Sequence, residues 1–171
     1  MAAGTRRLNG ERKWHYFRLL VFAGFVVLLD QLTKTAIGNT IPLNHSVPVI
    51  PGFFDITHVH NPGGAFGLFA SQSDSFRQVF FLVLILGAMI AIFCFYRTIP
   101  PTHPWLSFAL ALIFGGAIGN LIDRIRFGEV VDFLRFYIGR YQWPSFNIAD
   151  SAISVGVGIF IIHLVLNKMP D

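Results

Sequence analysis

The segment VVDFLRFYIGRYQWPSFNIADS, residues 130–151, places two carboxylates among apolar neighbours. Asp132 lies between Val131 and Phe133, and Asp150 follows Ile148 and Ala149. An ionised carboxylate in an apolar setting is costly unless it is paired, hydrogen-bonded or functional. Because only 13% of the chain is charged, the two aspartates predict a site around which the other polar residues are arranged.

The composition indicates a membrane protein. Of the 171 residues, 54% are hydrophobic, and the charged fraction is about half that of an ordinary soluble domain. The apolar residues occur in long unbroken runs, which are typical of membrane-spanning helices. We therefore predict a mainly α, polytopic membrane protein that forms one integral membrane domain over residues 1–171, with four transmembrane helices at about 17–36, 76–96, 105–122 and 149–167.

The two longer connections, at about 38–75 and 123–148, differ from the spans in character. In the first, Pro42, Pro48 and Pro51 disfavour helix, while residues 47–50 and 53–59 favour strands. The chain is therefore expected to carry a small extracytoplasmic β-rich cradle. The basic N-terminal residues predict that the first helix begins in the cytoplasm. Four spans then return both termini to the cytoplasm and place both connections on the periplasmic side.

Four arginines in the second connection oppose the tendency of basic residues to remain in the cytoplasm. We expect them to have local roles such as pairing with carboxylates. They are Arg124, Arg126, Arg135 and Arg140.

The predicted topology brings several charged residues to one level near the outer membrane interface. Asp30 lies near the outer end of the first span, and Asp123, Asp132 and Asp150 flank the third and fourth spans. Lys34 follows Asp30 by one helical turn, which is the spacing of an ion pair. The small residues 115–119 predict close helix packing in the third span.

Two neighbouring carboxylates can share one proton, so that one acts as a base toward water while the other polarises a carbonyl. Asp132 and Asp150 suit this chemistry. Alternatively, Asp150 only complements the positive N-terminal end of the fourth helix. Asn147, three residues earlier, either caps that helix or donates to a tetrahedral oxyanion.

The other polar residues also have two interpretations each. Asp30 and Lys34 form either a structural ion pair or a substrate contact. Asp123 and Arg124 form a charge pair at a helix end, or Arg124 binds a substrate carbonyl. Asn61 is a turn residue before Pro62 or a donor in the site. Two phenylalanines form a lid over a lipid-exposed groove or pack on the β-rich segment; they are Phe66 and Phe69.

Several other function classes are not supported. The net charge of +4 is interpreted as an orientation signal and not as a nucleic-acid surface. The single cysteine, Cys94, lies in an apolar run and provides no disulfide framework. His58 and His60 have no third ligand at a metal-binding spacing, so we interpret them as structural and predict no metal site. No nucleophile-elbow motif for serine chemistry is present.

Five motifs in series resemble those of lipoprotein signal peptidase, also called signal peptidase II. The resemblance covers nearly all of the chain beyond Phe17. The motifs are Asp30-Gln31-x-x-Lys34, Asn61-x-Gly63-x-Ala65-Phe66, Gly115-Gly116-Ala117-x-Gly119-Asn120-x-x-Asp123-Arg124, Val130-Val131-Asp132-Phe133 and Phe146-Asn147-x-Ala149-Asp150-Ser151.

This resemblance implies an aspartic endopeptidase of the bacterial inner membrane that needs no cofactor, with Asp132 and Asp150 as the catalytic pair. The implied substrate is a prolipoprotein carrying a diacylglyceryl group on its cysteine, cut just before that cysteine in contact with membrane lipid. The family is also a target of globomycin-type cyclic peptides. Residues matching the supporting positions are Asp30, Lys34, Asn61, Asn120, Asp123, Arg124, Asn147 and Ala149.

Two rival interpretations come from other functional classes. A small proton-coupled carrier would use the carboxylates as a proton relay, but the sequence shows no inverted repeat and no broken midplane helix. A membrane scaffold would use the charges only for pairing. In a scaffold, Asp132→Asn would alter stability without removing any catalytic activity.

Overall fold

The computed structural model of the chain describes residues 2–63, 72–166 and 168–169, with the backbone alone for residues 2–11. The predicted lid residues Phe66 and Phe69 lie outside these ranges. The elements in chain order are α1 (Ala2–Thr40), β1 (Ser46–Ile50), β2 (Phe54–Asn61), α2 (Asp74–Thr98), α3 (Pro104–Phe127), β3 (Val130–Ile138), β4 (Tyr141–Gln142) and α4 (Ile148–Val165).

Four helical segments are long and apolar enough to cross a membrane: Arg12–Thr40, Asp74–Thr98, Pro104–Phe127 and Ile148–Val165. Together with the small antiparallel sheet, they confirm the predicted fold class. The first helix is much longer than its apolar run, because the helix extends through the polar, basic N-terminal residues. A helix can cross the bilayer because it satisfies its own backbone hydrogen bonds.

Helix α3 lies at the centre of the bundle and contacts α1, α2 and α4. Its glycines permit this close packing, as the small-residue pattern predicted. A Cβ atom added at Gly116 would lie 2.4 Å from the carbonyl oxygen of Ala149 in α4, and one at Gly115 would lie 2.8 Å from Cα of Ala23 in α1. The backbones of three helices therefore meet where these glycines lie.

At the end of the bundle remote from the sheet, the N-terminal half of α1 contacts the end of α2. The rings of His15 and Tyr96 stack with centroids 4.2 Å apart, and the Tyr96 hydroxyl donates to the His15 carbonyl oxygen at 2.7 Å. Around them lies an apolar cluster that includes Leu19, Leu106 and Leu110. This cluster fixes α1, α2 and α3 at the end remote from the two aspartates.

The four strands form one antiparallel sheet in the order β1-β2-β3-β4. Strands β1 and β2 lie where the sequence favoured strands, whereas the long β3 was not predicted. Gly128, with φ of 76°, ends α3 in the left-handed conformation and lets β3 begin two residues later. The register places Asp132 opposite Val59, so that the sheet carries Asp132 next to the helix ends.

Three of the four arginines expected to have local roles make contacts near the sheet, and one of them pairs with a carboxylate. Arg135 pairs with the buried Asp55 on the neighbouring strand, which holds the pKa of that carboxyl below its usual value. The Arg126 guanidinium lies 4.9 Å from the centroid of the Phe127 ring, and that of Arg140 lies 5.4 Å from the Tyr141 ring.

Replacing Gly116 with alanine tests the close contact between α3 and α4. The new methyl group would meet backbone atoms as well as a side chain. We therefore expect Gly116→Ala to lower the free energy of unfolding by ~1–3 kcal/mol, measured as a lower thermal unfolding midpoint in detergent. Gly158→Ala in α4 is the matched control, since a Cβ there has nothing within 4 Å. Equal midpoints for the two variants would contradict this description of the packing.

Candidate active site

Asp132 lies on β3 and is almost fully buried, with 1% of its surface exposed. Each of its carboxylate oxygens accepts one amide hydrogen bond. Oδ1 accepts from Nδ2 of Asn147 at 2.8 Å, and Oδ2 accepts from Nδ2 of Asn61 at 2.9 Å. Burial raises the pKa of Asp132 to about 7, and the negative charge of Asp150 adds to the rise, while the two amide donors oppose it. The setting therefore favours proton uptake by Asp132 near neutral pH.

Asp150 occupies the first turn of α4 and takes part in two kinds of contact. Its backbone N–H donates to Oδ1 of Asn147 at 2.9 Å, and its Oδ2 accepts from the Asn147 backbone N–H at 3.3 Å, which forms a capping box. Its Oδ1 also accepts from Nδ2 of Asn120 at 2.8 Å. The predicted helix-cap role is thus present in the geometry, and it coexists with a place in the polar cluster around Asp132.

Asn147 connects the two aspartates and is completely buried. Its backbone N–H reaches Asp150, while its side-chain amide reaches Asp132. The same amide nitrogen lies 3.2 Å from Oδ1 of Asn120. The cap of α4 is therefore also the link that fixes Asp150 with respect to β3.

A buried ion cluster lies next to the two aspartates. Lys34 Nζ lies 2.8 Å from Oδ2 of Asp30 and 2.7 Å from Oδ2 of Asp123, and it donates to Oδ1 of Asn120 at 3.3 Å. The predicted pair between Asp30 and Lys34 is confirmed. Both of its charges are almost fully buried, which is expected only for paired groups.

Of the two interpretations left open for Asp123 and Arg124, the charge pair between them does not form, since Asp123 pairs with Lys34 instead. Consecutive helical residues point about 100° apart and do not face each other. Asp123 therefore faces α1 and pairs with Lys34, whereas Arg124 turns toward α2. The Arg124 guanidinium lies 4.5 Å from the centroid of the Phe81 ring and donates to the Pro62 carbonyl oxygen at 3.3 Å.

Asn61 combines the two roles that the sequence left open. Its Oδ1 accepts the backbone N–H of Gly63 at 2.9 Å, which forms a local turn. Its Nδ2 donates to Asp132. The end of β2 therefore supplies both the turn and a hydrogen-bond donor to the aspartate.

Ala149 is fully buried at the closest approach of α4 to the other helices. Its backbone N–H donates to Oδ1 of Asp30 at 2.9 Å, and its carbonyl oxygen is the atom that a side chain at Gly116 would strike. A small residue at position 149 fits this contact because the helices leave no room for a larger one.

A cavity of about 330 Å³ extends from the polar cluster into the helix bundle. Its polar end is lined by Asn61, Asn120, Arg124 and Asp150. Its apolar end is lined by side chains of α2, α3 and α4, among them Leu84, Ile85, Ile113 and Ile153. The arrangement can accept a polar, extended group next to the carboxylates and an apolar group between the helices.

The two histidines of β2 hold neighbouring loop and strand groups. Nδ1 of His58 lies 2.8 Å from the Ile41 carbonyl oxygen, and Nδ1 of His60 lies 3.3 Å from Oε2 of Glu129. Over residues 12–63, 72–166 and 168–169, whose side chains the structure describes, no group of three or more potential metal ligands occurs.

One residue of the cluster was named in a motif but was not predicted as a site residue. Gln31 donates to both Asp30 and Asp123. It lies within the motif from Asp30 to Lys34, but its neighbour Asp123 is 92 residues away. Only its position between two charged motif residues could have identified it.

The family model described as signal peptidase II matches residues 22–166 of this chain. The lipoprotein signal peptidase of Desulforapulum autotrophicum is 52% identical to it, covering 90% of this chain and 95% of that protein. The lipoprotein signal peptidase of Moorella thermoacetica is 50% identical and covers 86% of this chain and 92% of its own length.

Two solved structures are also similar. A bacterial membrane enzyme solved by the in meso method at 2.3 Å resolution has a TM-score of 0.77 and 37% identity, covering 88% of each chain. Another, solved by the same method at 1.9 Å, has a TM-score of 0.76 and 38% identity, covering 85% of this chain and 91% of that one.

The pH dependence of stability tests the environment of Asp132. Its pKa of about 7 lies above that of an unfolded aspartate, near ~3.9, so the folded state holds an extra proton between these values. The contribution of Asp132 to wild-type stability therefore falls as pH rises through this window, by at most ~1.4 kcal/mol per pH unit. Since asparagine does not titrate, we expect the thermal midpoint of Asp132→Asn minus that of wild type to increase from about pH 5 to about pH 7.

The control for this measurement is Asn39→Ala, at an exposed position in α1 that carries no titratable group. Its difference from wild type should stay flat over the same pH range. A flat difference for Asp132→Asn as well would show that burial does not shift the titration of this carboxyl.

Proposed function

Because this chain belongs to the signal peptidase II family, we propose that it is an intramembrane aspartic endopeptidase acting on diacylglyceryl-modified prolipoproteins. It removes the signal peptide by cutting just before the lipidated cysteine. The observation that carries this proposal is the linkage of Asp132 and Asp150 through one buried residue, Asn147. Two carboxylates joined in this way beside a cavity suit activation of water toward a peptide carbonyl.

In the proposed reaction the aspartate pair starts with one shared proton. The ionised carboxylate takes a proton from water as the water oxygen attacks the carbonyl carbon, and the protonated partner donates a hydrogen bond to the carbonyl oxygen. The tetrahedral intermediate collapses as the peptide C–N bond breaks, and a carboxyl returns a proton to the leaving amine. Each step needs only the two carboxyls and water, so this chemistry requires neither a metal nor an organic cofactor.

The surrounding amide donors support these roles of the two carboxyls as base and as hydrogen-bond donor. Asn61, Asn120 and the two donors of Asn147 each engage a different carboxylate oxygen of the pair. These donors hold the carboxyl planes while protons move between water, substrate and the pair. The orienting role of Asn120 and Asn147 is thus one of positioning within the catalytic pair.

Arg124 is the basic residue that we assign to the substrate side. Within the described part of the chain its guanidinium makes no ion pair, and it lines the polar end of the cavity. A buried guanidinium there can donate to a substrate carbonyl or stabilise developing negative charge. This role is the second of the two interpretations that the sequence left open for Arg124.

The membrane setting follows from the same cavity. Its apolar end lies between helices that face lipid, so the acyl chains of the substrate can stay in the bilayer during cleavage. We infer that both termini are cytoplasmic and that the site lies near the outer face, because Arg12, Lys13 and Arg18 lie in the N-terminal half of α1, remote from the site. From the family resemblance we expect globomycin-type cyclic peptides to occupy this cavity.

Amide replacement of either aspartate tests the proposed pair. Asp132→Asn and Asp150→Asn keep the side-chain shape but remove the shared proton. We expect both to lose at least ~100-fold in cleavage of a diacylated prolipoprotein by purified protein in detergent. Asp74→Asn is the control and should cleave like wild type. If either site variant is folded and cleaves normally, that aspartate is not catalytic.

Asn61→Ala tests how the amide donors tune the pair. The Asn61 amide favours the ionised form of Asp132, so its removal raises the pKa of that carboxyl. The alkaline limb of kcat/KM, expected near about pH 7 in wild type, should therefore move to higher pH by roughly one unit. Asn39→Ala, at an exposed position in α1, should leave the limb unchanged. A limb that moves to lower pH in Asn61→Ala would contradict this assignment.

A further inference from the structure

The residue directly before each aspartate of the pair is held by another buried carboxylate. The Ala149 backbone N–H, next to Asp150, donates to Oδ1 of Asp30 at 2.9 Å. The Val131 backbone N–H, next to Asp132, donates to Oδ2 of Asp123 at 3.1 Å. The peptide groups that carry the two aspartates are therefore each fixed to a carboxylate on a different helix, α1 or α3.

Two donors from α1 join these outer carboxylates to each other. Lys34 Nζ pairs with both. Gln31 Nε2 donates to Oδ2 of Asp30 at 3.2 Å, to Oδ1 of Asp123 at 2.9 Å and to the Gly119 carbonyl oxygen at 3.2 Å. We call Asp30, Gln31, Lys34 and Asp123 the carboxylate brace.

We propose that Gln31 is a positioning residue for peptide cleavage, which sets the separation of Asp132 and Asp150 by joining Asp30 to Asp123. This inference rests on the proposed function of the aspartate pair. It assigns a role to a residue outside the predicted site, one that contacts neither aspartate of the pair directly among the described hydrogen bonds.

The charge of the brace explains why a neutral donor suits this position. Asp30, Asp123 and Lys34 together carry one net negative charge, and all four carboxylate oxygens accept at least one hydrogen bond. A glutamine adds donors for both carboxylates without adding charge to a buried site. A carboxylate at position 31 would instead place a third negative group between two others.

The location of Gln31 separates positioning from substrate binding. Gln31, Lys34 and Asp123 line a polar cavity of about 260 Å³, whereas Asp150 and Arg124 line the larger cavity that we assign to the substrate. Gln31 does not line that larger cavity. Loss of its hydrogen bonds should therefore affect the chemical step and not substrate affinity.

The test compares Gln31→Met and Gln31→Glu with wild type in cleavage of a diacylated prolipoprotein. Methionine keeps the side-chain length but cannot donate, so we expect kcat to fall roughly 10-fold or more with KM within about twofold, as for a small misplacement of reacting groups. Gln31→Glu should lose more, because it adds repulsion to the lost donor. Thr33→Val is the matched control, since the Thr33 hydroxyl donates only to carbonyl oxygens of its own helix.

The pH profile gives the readout that a purely structural role would not change. Loosening the carboxylate brace should let Asp132 and Asp150 move apart, which weakens the electrostatic repulsion between their charges. Their two macroscopic pKa values then lie closer together, so the acidic and alkaline limbs of kcat should approach one another in Gln31→Met. Gln31→Asn, which keeps the amide on a shorter stem, should recover part of the activity lost in Gln31→Met.

Several outcomes would overturn the proposal. One is a folded Gln31→Met with wild-type kcat and pH profile; another is a variant that loses folded protein while the folded fraction keeps wild-type kcat. If Gln31→Met does not fold at all, wild-type activity in Gln31→Asn with a lowered thermal midpoint would assign Gln31 to stability alone. The proposed function fails separately, when folded Asp132→Asn or Asp150→Asn cleaves normally.

Discussion

The cost of removing carboxylates from water is the constraint on which the sheet end of this protein depends. Asp30, Asp123 and Asp132 are each at most 1% exposed, and an unpaired buried charge would be strongly destabilising. Their donors come from α1, β2, β3 and the start of α4. Because no single element supplies enough partners, the polar cluster forms only when the helices and the sheet are assembled together.

Asn147 shows how the fold uses one residue for two purposes. As the cap of α4 it satisfies backbone groups that every helix leaves unpaired. As a buried amide it also fixes Asp132 on β3. A change at this position would therefore affect the start of a membrane helix and the polar cluster at the same time, which makes stability and activity hard to separate there.

The sequence predicted those features that depend on local spacing. Apolar runs identified the four helices, the separation of Asp30 and Lys34 by four residues identified their ion pair, and small residues identified the close face of α3. The sequence did not predict β3, although its Val, Ile and aromatic residues favour a strand, because the segment was interpreted only as a connection between two spans. The sequence also did not predict the ion pair between Asp123 and Lys34 or the contacts of Gln31. These contacts depend on which faces of α1 and α3 are turned toward each other, and spacing within one helix does not determine that.

Helix α2 differs from the other helices in its attachments. Among the described elements its backbone comes close only to that of α3, whereas α3 also joins α1 and α4. Its side chains reach α1 and α4 only near its end, where Tyr96 stacks on His15 and Phe95 contacts Phe160. Most of its surface is exposed. Yet Phe81, Leu84, Ile85 and Ala88 of α2 form one wall of the substrate cavity. The cavity wall on this side is therefore a single helix thick. One face of α2 lines the cavity, and its opposite face is exposed on the outside of the bundle.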